Sequence, residues 1–203
     1  MDPSFERLPE EKRIRIIEGV IQEFAEYGYD AASTNRIVQR VGISKGSLFH
    51  YFNSKDELWL YTAEFTLKKV IPLMKKRLEK MPPDILERLK LMTGAVIAVY
   101  VENPLYYRFF MSVLDKGAEH MQKELLRRNE QLMGILDFFS GVDASLFRTD
   151  VQSTFLLIKW LYSGIKQELF DIEAVRENPE KLKQAFLERL DSVLSLLRTG
   201  IYR

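Results

Sequence analysis

The 203-residue chain contains no cysteine. That excludes a disulfide framework, thiolate metal ligands and a cysteine nucleophile, and it suits a reducing compartment, so a cytoplasmic location is expected. Histidine is almost as scarce. His50 and His120 are the only two, far apart in sequence, so one chain cannot assemble a multi-histidine metal site, and no metal or cofactor is expected. Long apolar runs are missing too. The longest stretch free of charged residues, Leu91 to Val101, falls well short of the roughly 18–20 residues that span a bilayer. The opening residues, MDPSFERLPEEKRIR, mix acids with bases and lack the apolar centre of a secretory signal, so no membrane involvement is expected. No Gly-rich phosphate loop, nucleophile elbow or paired-carboxylate motif occurs, so the chain is read as a non-enzyme with no catalytic residues. Nor is there an excess of charge of one sign. Lys+Arg number 30 and Asp+Glu 29, a net charge of +1, and that total gives no reason to expect a nucleic-acid partner.

The distribution of charge says otherwise. Residues 1–32 hold eight acids and four bases. Residues 33–55 hold Arg36, Arg40, Lys45 and Lys55 with no acid at all. A cationic window inside a neutral chain is either a solvated face that happens to lack acids or a local attraction for polyanions.

Periodicity predicts helices throughout, about nine of them, and no strand. Ile16/Ile17, Val20/Ile21 and Phe24 mark one helix from near Pro9 to just before Gly28. Ser33/Thr34 open a short second helix with Ile37, Val38 and Val41, ended by Gly42. Ser44 caps a third, with Leu48, Phe49 and Phe52 on its apolar side. Ser54-Lys55-Asp56-Glu57 reads as a capping box for a fourth, reaching about Lys80, which Pro72 should kink or end. Pro82-Pro83 starts a fifth through Val101, and Asn103-Pro104 a sixth. A seventh runs from Glu119 to Phe139, an eighth from Leu146 or Asp150 to Phe170, and the last from Asn178-Pro179.

Two short helices around the tight turn Val41-Gly42-Ile43-Ser44 have the dimensions of a helix-turn-helix, in which one helix braces and the next enters a major groove. The outward positions of the second are Lys45, Gly46, Ser47, Phe49 and His50. Gly46 is a poor helix former, so either close approach to DNA or crowding within the protein must explain it. Lys55 sits in the first turn of a helix, where the helix dipole disfavours a cation unless a phosphate is near. The hydroxyls of Tyr51 and Thr34 are placed to serve neighbouring phosphates.

The run Thr34 to Leu58 (TNRIVQRVGISKGSLFHYFNSKDEL), preceded by Phe24-Ala25-Glu26-Tyr27-Gly28-Tyr29, resembles the tetracycline-repressor (TetR) family of bacterial transcriptional regulators. The likeness covers about a quarter of the chain; the remainder resembles the family only in length and helical character. It implies that Lys45, Gly46, Ser47, Phe49 and His50 read or line the groove, and that Thr34, Asn35, Tyr51 and Lys55 hold phosphates. There are two departures. Phe49 stands where the family usually has tyrosine, exchanging a hydroxyl contact for an apolar one, such as a thymine methyl. Val38 and Val41 replace the usual alanines.

Residues 97–170 hold twelve aromatics, and six of the seven methionines lie between Met74 and Met133. Singly these read as core; together they suit a deformable apolar pocket, with Tyr100, Tyr107, Phe110, Met111, Met133, Phe155, Trp160 and Tyr162 as candidate lining. The expectation is an all-α protein with a helix-turn-helix DNA-binding domain at 1–55 and a ligand-binding and dimerisation domain at 56–203. It would bind a pseudo-palindromic double-stranded operator as a homodimer through its last two helices, and be released by a small, largely apolar effector. The competing reading is a helical ligand-binding or scaffold protein without a transcriptional role.

Overall fold

The computed structural model describes residues 2–116, 119–129, 139–171 and 179–201. These form ten α-helices and one 3-10 turn, and no strand occurs among them. The helices are α1 (Pro3–Glu6), α2 (Glu10–Ala31), α3 (Thr34–Val41), α4 (Lys45–Tyr51), α5 (Lys55–Arg77), α6 (Ile85–Glu102), α7 (Pro104–Lys116), α8 (Glu119–Arg128), α9 (Val151–Asp171) and α10 (Pro179–Ile201), with the 3-10 turn at Ala144–Leu146.

Most boundaries follow the sequence signals, and the departures have local causes. The α1 helix precedes the first helix expected from periodicity, and Asp2-Pro3 carries the same cap-plus-proline signature as Asn103-Pro104. The regular part of α2 does break at Gly28, which adopts φ 71° and ψ 178°, but one further turn carries the helix to Ala31. Ser54 Oγ caps α5 by accepting from the Glu57 amide (3.1 Å). The return contact of a capping box is displaced by one residue: the Glu57 carboxylate takes the Asn53 amide (2.8 Å) and its side chain (2.9 Å). Pro72 does not end α5, which runs on to Arg77. Burial of Leu67, Val70 and Met74 on either side offsets the roughly 3 kcal/mol that an interior proline costs. Of the seventh predicted helix, Glu119–Arg128 is described and residues 130–138 lie outside the described residues.

The chain divides into two compact units. The first comprises Met1–Leu73 and Asn103–Gly134. Its core joins Ile16, Ile17, Val20, Ile21 and Phe24 of α2 to Ile37, Val41, Leu48, Phe52, Leu58 and Trp59, all closed to solvent. From α7, Phe109 meets Phe24 (6.1 Å between ring centroids) and Trp59 (6.4 Å), and Tyr106 donates to Glu18 of α2 (3.0 Å). The second unit comprises Met74–Glu102 and Ile135–Arg203. There α6 packs on α9 and α10 through Ile85, Leu86, Leu89, Ile97, Ile158 and Leu190. Ion pairs Lys90–Asp191 (2.7 Å) and Arg198 to Asp84 (2.9 Å) and Glu87 (2.8 Å) border the contact. Arg88 is buried and donates to the carbonyls of Pro82, Ser140 (2.5 Å) and Gly141 (2.8 Å), so backbone oxygens solvate its charge.

Candidate nucleic-acid interface

Three small residues set the ends of α3 and the turn into α4. Ser33 caps α3; Gly42 takes the left-handed conformation (φ 69°, ψ 41°) that ends it, with the Gly42 and Ile43 amides both returning to the Val38 carbonyl (3.0 and 3.2 Å). Ser44 then caps α4 by accepting from the Ser47 amide (3.0 Å). Leu48 and Phe52 anchor α4 to the core. The helical period leaves Lys45, Gly46, Phe49 and His50 on one exposed face. Phe49, which periodicity had also placed on the apolar side, is on the open one.

Gly46 separates the two explanations offered for it. A Cβ there would meet only Ser44 Oγ, at 3.8 Å, so nothing among the described residues crowds it. Crowding does occur at Gly19 of α2, where an added Cβ would stand 2.2 Å from Val41 Cγ1. Gly19 is therefore what lets α3 lie tightly on α2.

The remaining side chains are already engaged within the first unit. Ser47 is half-buried, with its hydroxyl 2.8 Å from that of Ser44. His50 Nε2 lies 3.3 Å from Ser4 Oγ of α1. Tyr51 is half-buried, its ring 5.4 Å from that of Phe5. At the start of α3, Thr34 is half-buried and Asn35 exposed. Lys55 donates to the Asp30 carbonyl (3.1 Å) and lies over the Tyr29 ring (4.9 Å). An ammonium has three N–H groups, so this leaves donors for a phosphate.

The cationic window is partly neutralised within the first unit, because two of its four cations pair with acids of α2. Glu23, fully buried, accepts through Oε1 from the Ser33 amide (2.8 Å) and from Arg36 Nε (2.8 Å), with Arg36 Nη2 in ion-pair contact at 2.6 Å while donating to the Ala31 carbonyl (2.9 Å). Arg40 reaches Glu26 (3.3 Å) and stands 3.8 Å from Glu23. The hydrogen bond to Glu23 holds the Arg36 guanidinium above its ordinary range. So the acids of α2 do more than offset the bases of α3 in the total; they pair with them, and Lys45 and Lys55 are the cations of the window outside these pairs. Glu23 was not singled out in the sequence, although an acid within the apolar stripe of α2, opposite arginines spaced i, i+4, is a detectable signal.

The candidate effector residues divide between the units. Tyr107 and Phe110 share the first, with ring centroids 6.4 Å apart. Tyr100, Phe155, Trp160 and Tyr162 belong to the second, where Phe155 stacks on Phe139 (4.3 Å) and Trp160 is 64% exposed. Met133 lies outside the described residues, as does the side chain of Met111. In the first unit a cleft of about 620 Å³ opens between α5 and the end of α8. Among the described residues it is lined by Leu67, Lys68, Ile71, Pro72, Arg127, Arg128 and Asn129, none of them in the aromatic set. Glu124 ties both arginines (2.8 and 2.7 Å), and these bonds draw its carboxyl down to about 2. No described helix is long and apolar enough to cross a membrane, and no group of three or more His, Asp or Glu among the described residues could hold a metal ion.

Residues 16–62 match the family model described as bacterial regulatory proteins, tetR family. The transcriptional repressor AcnR of Corynebacterium jeikeium is 36% identical over 63 residues, 31% of this chain and 33% of that protein. A second helix-turn-helix repressor, from Mycobacterium tuberculosis, is 44% identical over 52 residues, 26% of this chain and 28% of that one. The chain thus spans about a third or less of the length of these curated relatives. A solved TetR-family regulator from Chloroflexus aurantiacus shares the fold end to end, covering 100% of this chain and 98% of its own at a TM-score of 0.73 and 23% identity. Another, from Bordetella parapertussis, aligns over 90% of this chain with a TM-score of 0.66 and 18% identity.

Proposed function

We propose that this chain, which carries a TetR-family DNA-binding module at its N-terminus and has the fold of that family's regulators, is a sequence-specific transcriptional repressor. The observation that carries the reading is the α4 face: Lys45, Gly46, Phe49 and His50 stand together in solvent, on a helix seated by Leu48 and Phe52, with a glycine that crowding among the described residues does not require. Lys45 and His50 would hydrogen-bond base edges, Phe49 would meet a thymine methyl, and Gly46 and Ser47 would allow close approach. Thr34, Asn35, Tyr51 and Lys55 flank this face and would hold the phosphates that set its register.

Residues 56–203 would bind the effector and a second copy. Leu156 and Trp160 of α9 and Leu196 of α10 are exposed large apolar side chains, and exposed Ser163, Gly164, Ser192 and Gly200 on the same two helices would let a partner's helices approach. A two-fold arrangement would set two α4 helices about 34–36 Å apart, or a multiple of that, matching a pseudo-palindromic operator. A small apolar effector would release the repressor by favouring a DNA-incompetent state, and DNA would weaken effector binding by the same factor.

The test is fluorescence anisotropy on the DNA upstream of the protein's own gene against a scrambled duplex, across a salt series. Specific binding should exceed non-specific by at least about a thousandfold. Lys55→Ala should weaken both and lower the salt slope by about one. Equal affinity for the two duplexes would refute the reading and favour a scaffold or carrier.

A further inference from the structure

We propose that Ser4 is a positioning residue for base readout, its hydroxyl setting the ring of His50, so that α1 is part of the DNA-reading apparatus. The proposal rests on α4 being the recognition helix.

The α1 helix is short but firmly seated. The Asp2 amide donates to the Tyr51 carbonyl (2.9 Å), and the Asp2 carboxylate accepts from the Ser4 amide (2.7 Å). Phe5 is fully buried, its ring 4.8 Å from that of Phe52, 5.4 Å from Tyr51 and 5.5 Å from Tyr61. Glu6 accepts from Tyr61 of α5 (2.7 Å) and from Arg13 of α2 (2.8 Å). These contacts clip the last turn of α4 to α2 and α5, and they fix the backbone of Ser4 on both sides. From there its Oγ reaches His50 Nε2 at 3.3 Å.

An exposed hydrogen bond of that length adds little to folding, so its consequence is orientational. A surface imidazole is broadly free about its second side-chain torsion, and either nitrogen can face a base. With Nε2 engaged by Ser4, Nδ1 becomes the nitrogen offered to DNA. If the hydroxyl donates to Nε2, the proton sits on Nδ1, which then donates to an acceptor such as guanine O6 or N7. If the hydroxyl accepts, Nδ1 is an acceptor for an exocyclic amino group. Either way one ring pose is selected before DNA arrives.

The experiment uses the full chain and a duplex that it selects from a randomised pool, followed by single-base variants of that duplex. Wild type should prefer its own base at the position His50 reads by about fivefold or more. Ser4→Ala should cut that preference at least about threefold, with the melting temperature and non-specific affinity unchanged. Ser4→Thr, which keeps the hydroxyl, should retain it, and in a His50→Ala background Ser4→Ala should have no further effect. The proposal is overturned if Ser4→Ala leaves the preference intact, weakens all sequences alike, or still acts without His50. If wild type selects no sequence, the recognition-helix reading fails first and this inference with it.

Discussion

Removing either member of the Glu23–Arg36 pair should destabilise the protein, and the more exposed partner should be the costlier to lose. Consider Glu23→Ala. One carboxylate oxygen accepts two N–H groups and stands in ion-pair contact with a third nitrogen, and hydrogen bonds to a charged group contribute about 1.5–3 kcal/mol each when dry. The Arg36 side chain is 43% exposed and that of Arg40 33%, so both rehydrate once the carboxylate is gone, and their share falls toward the surface range of about 0.2–1 kcal/mol. The Ser33 amide loses its acceptor in a half-buried setting, at about 1–2 kcal/mol, giving about 2–3 kcal/mol in all. Arg36→Ala instead strands a fully buried carboxylate with one amide and a guanidinium 3.8 Å away. Orphaning a buried charge costs about 3–5 kcal/mol. The double variant should therefore lie close to Glu23→Ala alone, a strongly non-additive cycle. Urea unfolding followed by helical circular dichroism, at one fixed protein concentration because association shifts apparent stability, measures all three. A Glu23→Ala loss equal to or above that of Arg36→Ala, or additivity within about 0.3 kcal/mol, would refute the reasoning.

Other substitutions probe the interface, the dimer and the tyrosines. Gly46→Ala should raise stability by about 0.5 kcal/mol, since the helix gains a better former and the Cβ meets only Ser44 Oγ, while operator affinity falls; unchanged affinity would remove Gly46 from the interface. If the proposed homodimer forms through α9 and α10, Trp160→Asp should leave the protein folded but raise the dimer dissociation constant at least about tenfold in analytical ultracentrifugation, and an undisturbed dimer would refute that interface. Tyr29 and Tyr106 are pushed up to about 12, and Tyr61 higher, first by burial and then by the carboxylates of Asp56, Glu18 and Glu6 respectively. Because their folded values are raised, the stability they confer is complete below about pH 10 and is lost as pH climbs toward 12. Absorbance at 295 nm should thus show Tyr29, Tyr61 and Tyr106 ionising late and together with unfolding, and loss of the late phase in their Phe variants identifies them; these three ionising near pH 10 in a native fold would contradict this.

Helix identity was legible because punctuation is strong here: Gly42, Ser44, Ser54, Asn103-Pro104 and Pro179 mark ends that the structure keeps. What sequence could not supply was pairing between distant segments. Counting Arg36 and Arg40 as free cations ignored Glu23, whose burial depends on α3 crossing α2 at Gly19. Phe5 escaped notice because a single aromatic in a four-residue helix has no period to detect; only contacts with Tyr51, Phe52 and Tyr61 make it core. The expectation that Pro72 kinks or ends a helix reaching about Lys80 weighs local cost without the burial that offsets it, and the helix runs through to Arg77. The outward α4 residues were found by helical period, whereas their anchoring through Ser4 and Ser44 required coordinates.

Tying Arg36 and Arg40 to Glu23 and Glu26 would, on the proposed DNA-binding reading, also insulate the protein from osmotic change. Each cation that neutralises a phosphate adds about 0.9 to the steepness with which affinity falls in salt. Two of the four cations in residues 33–55 are withdrawn from that role, twice over in a dimer. When a cell loses water and its ions concentrate, a regulator leaning on many phosphate contacts would leave its site whatever its signal. One that leans on few would stay, and derepression would then report the presence of its ligand rather than the saltiness of its surroundings.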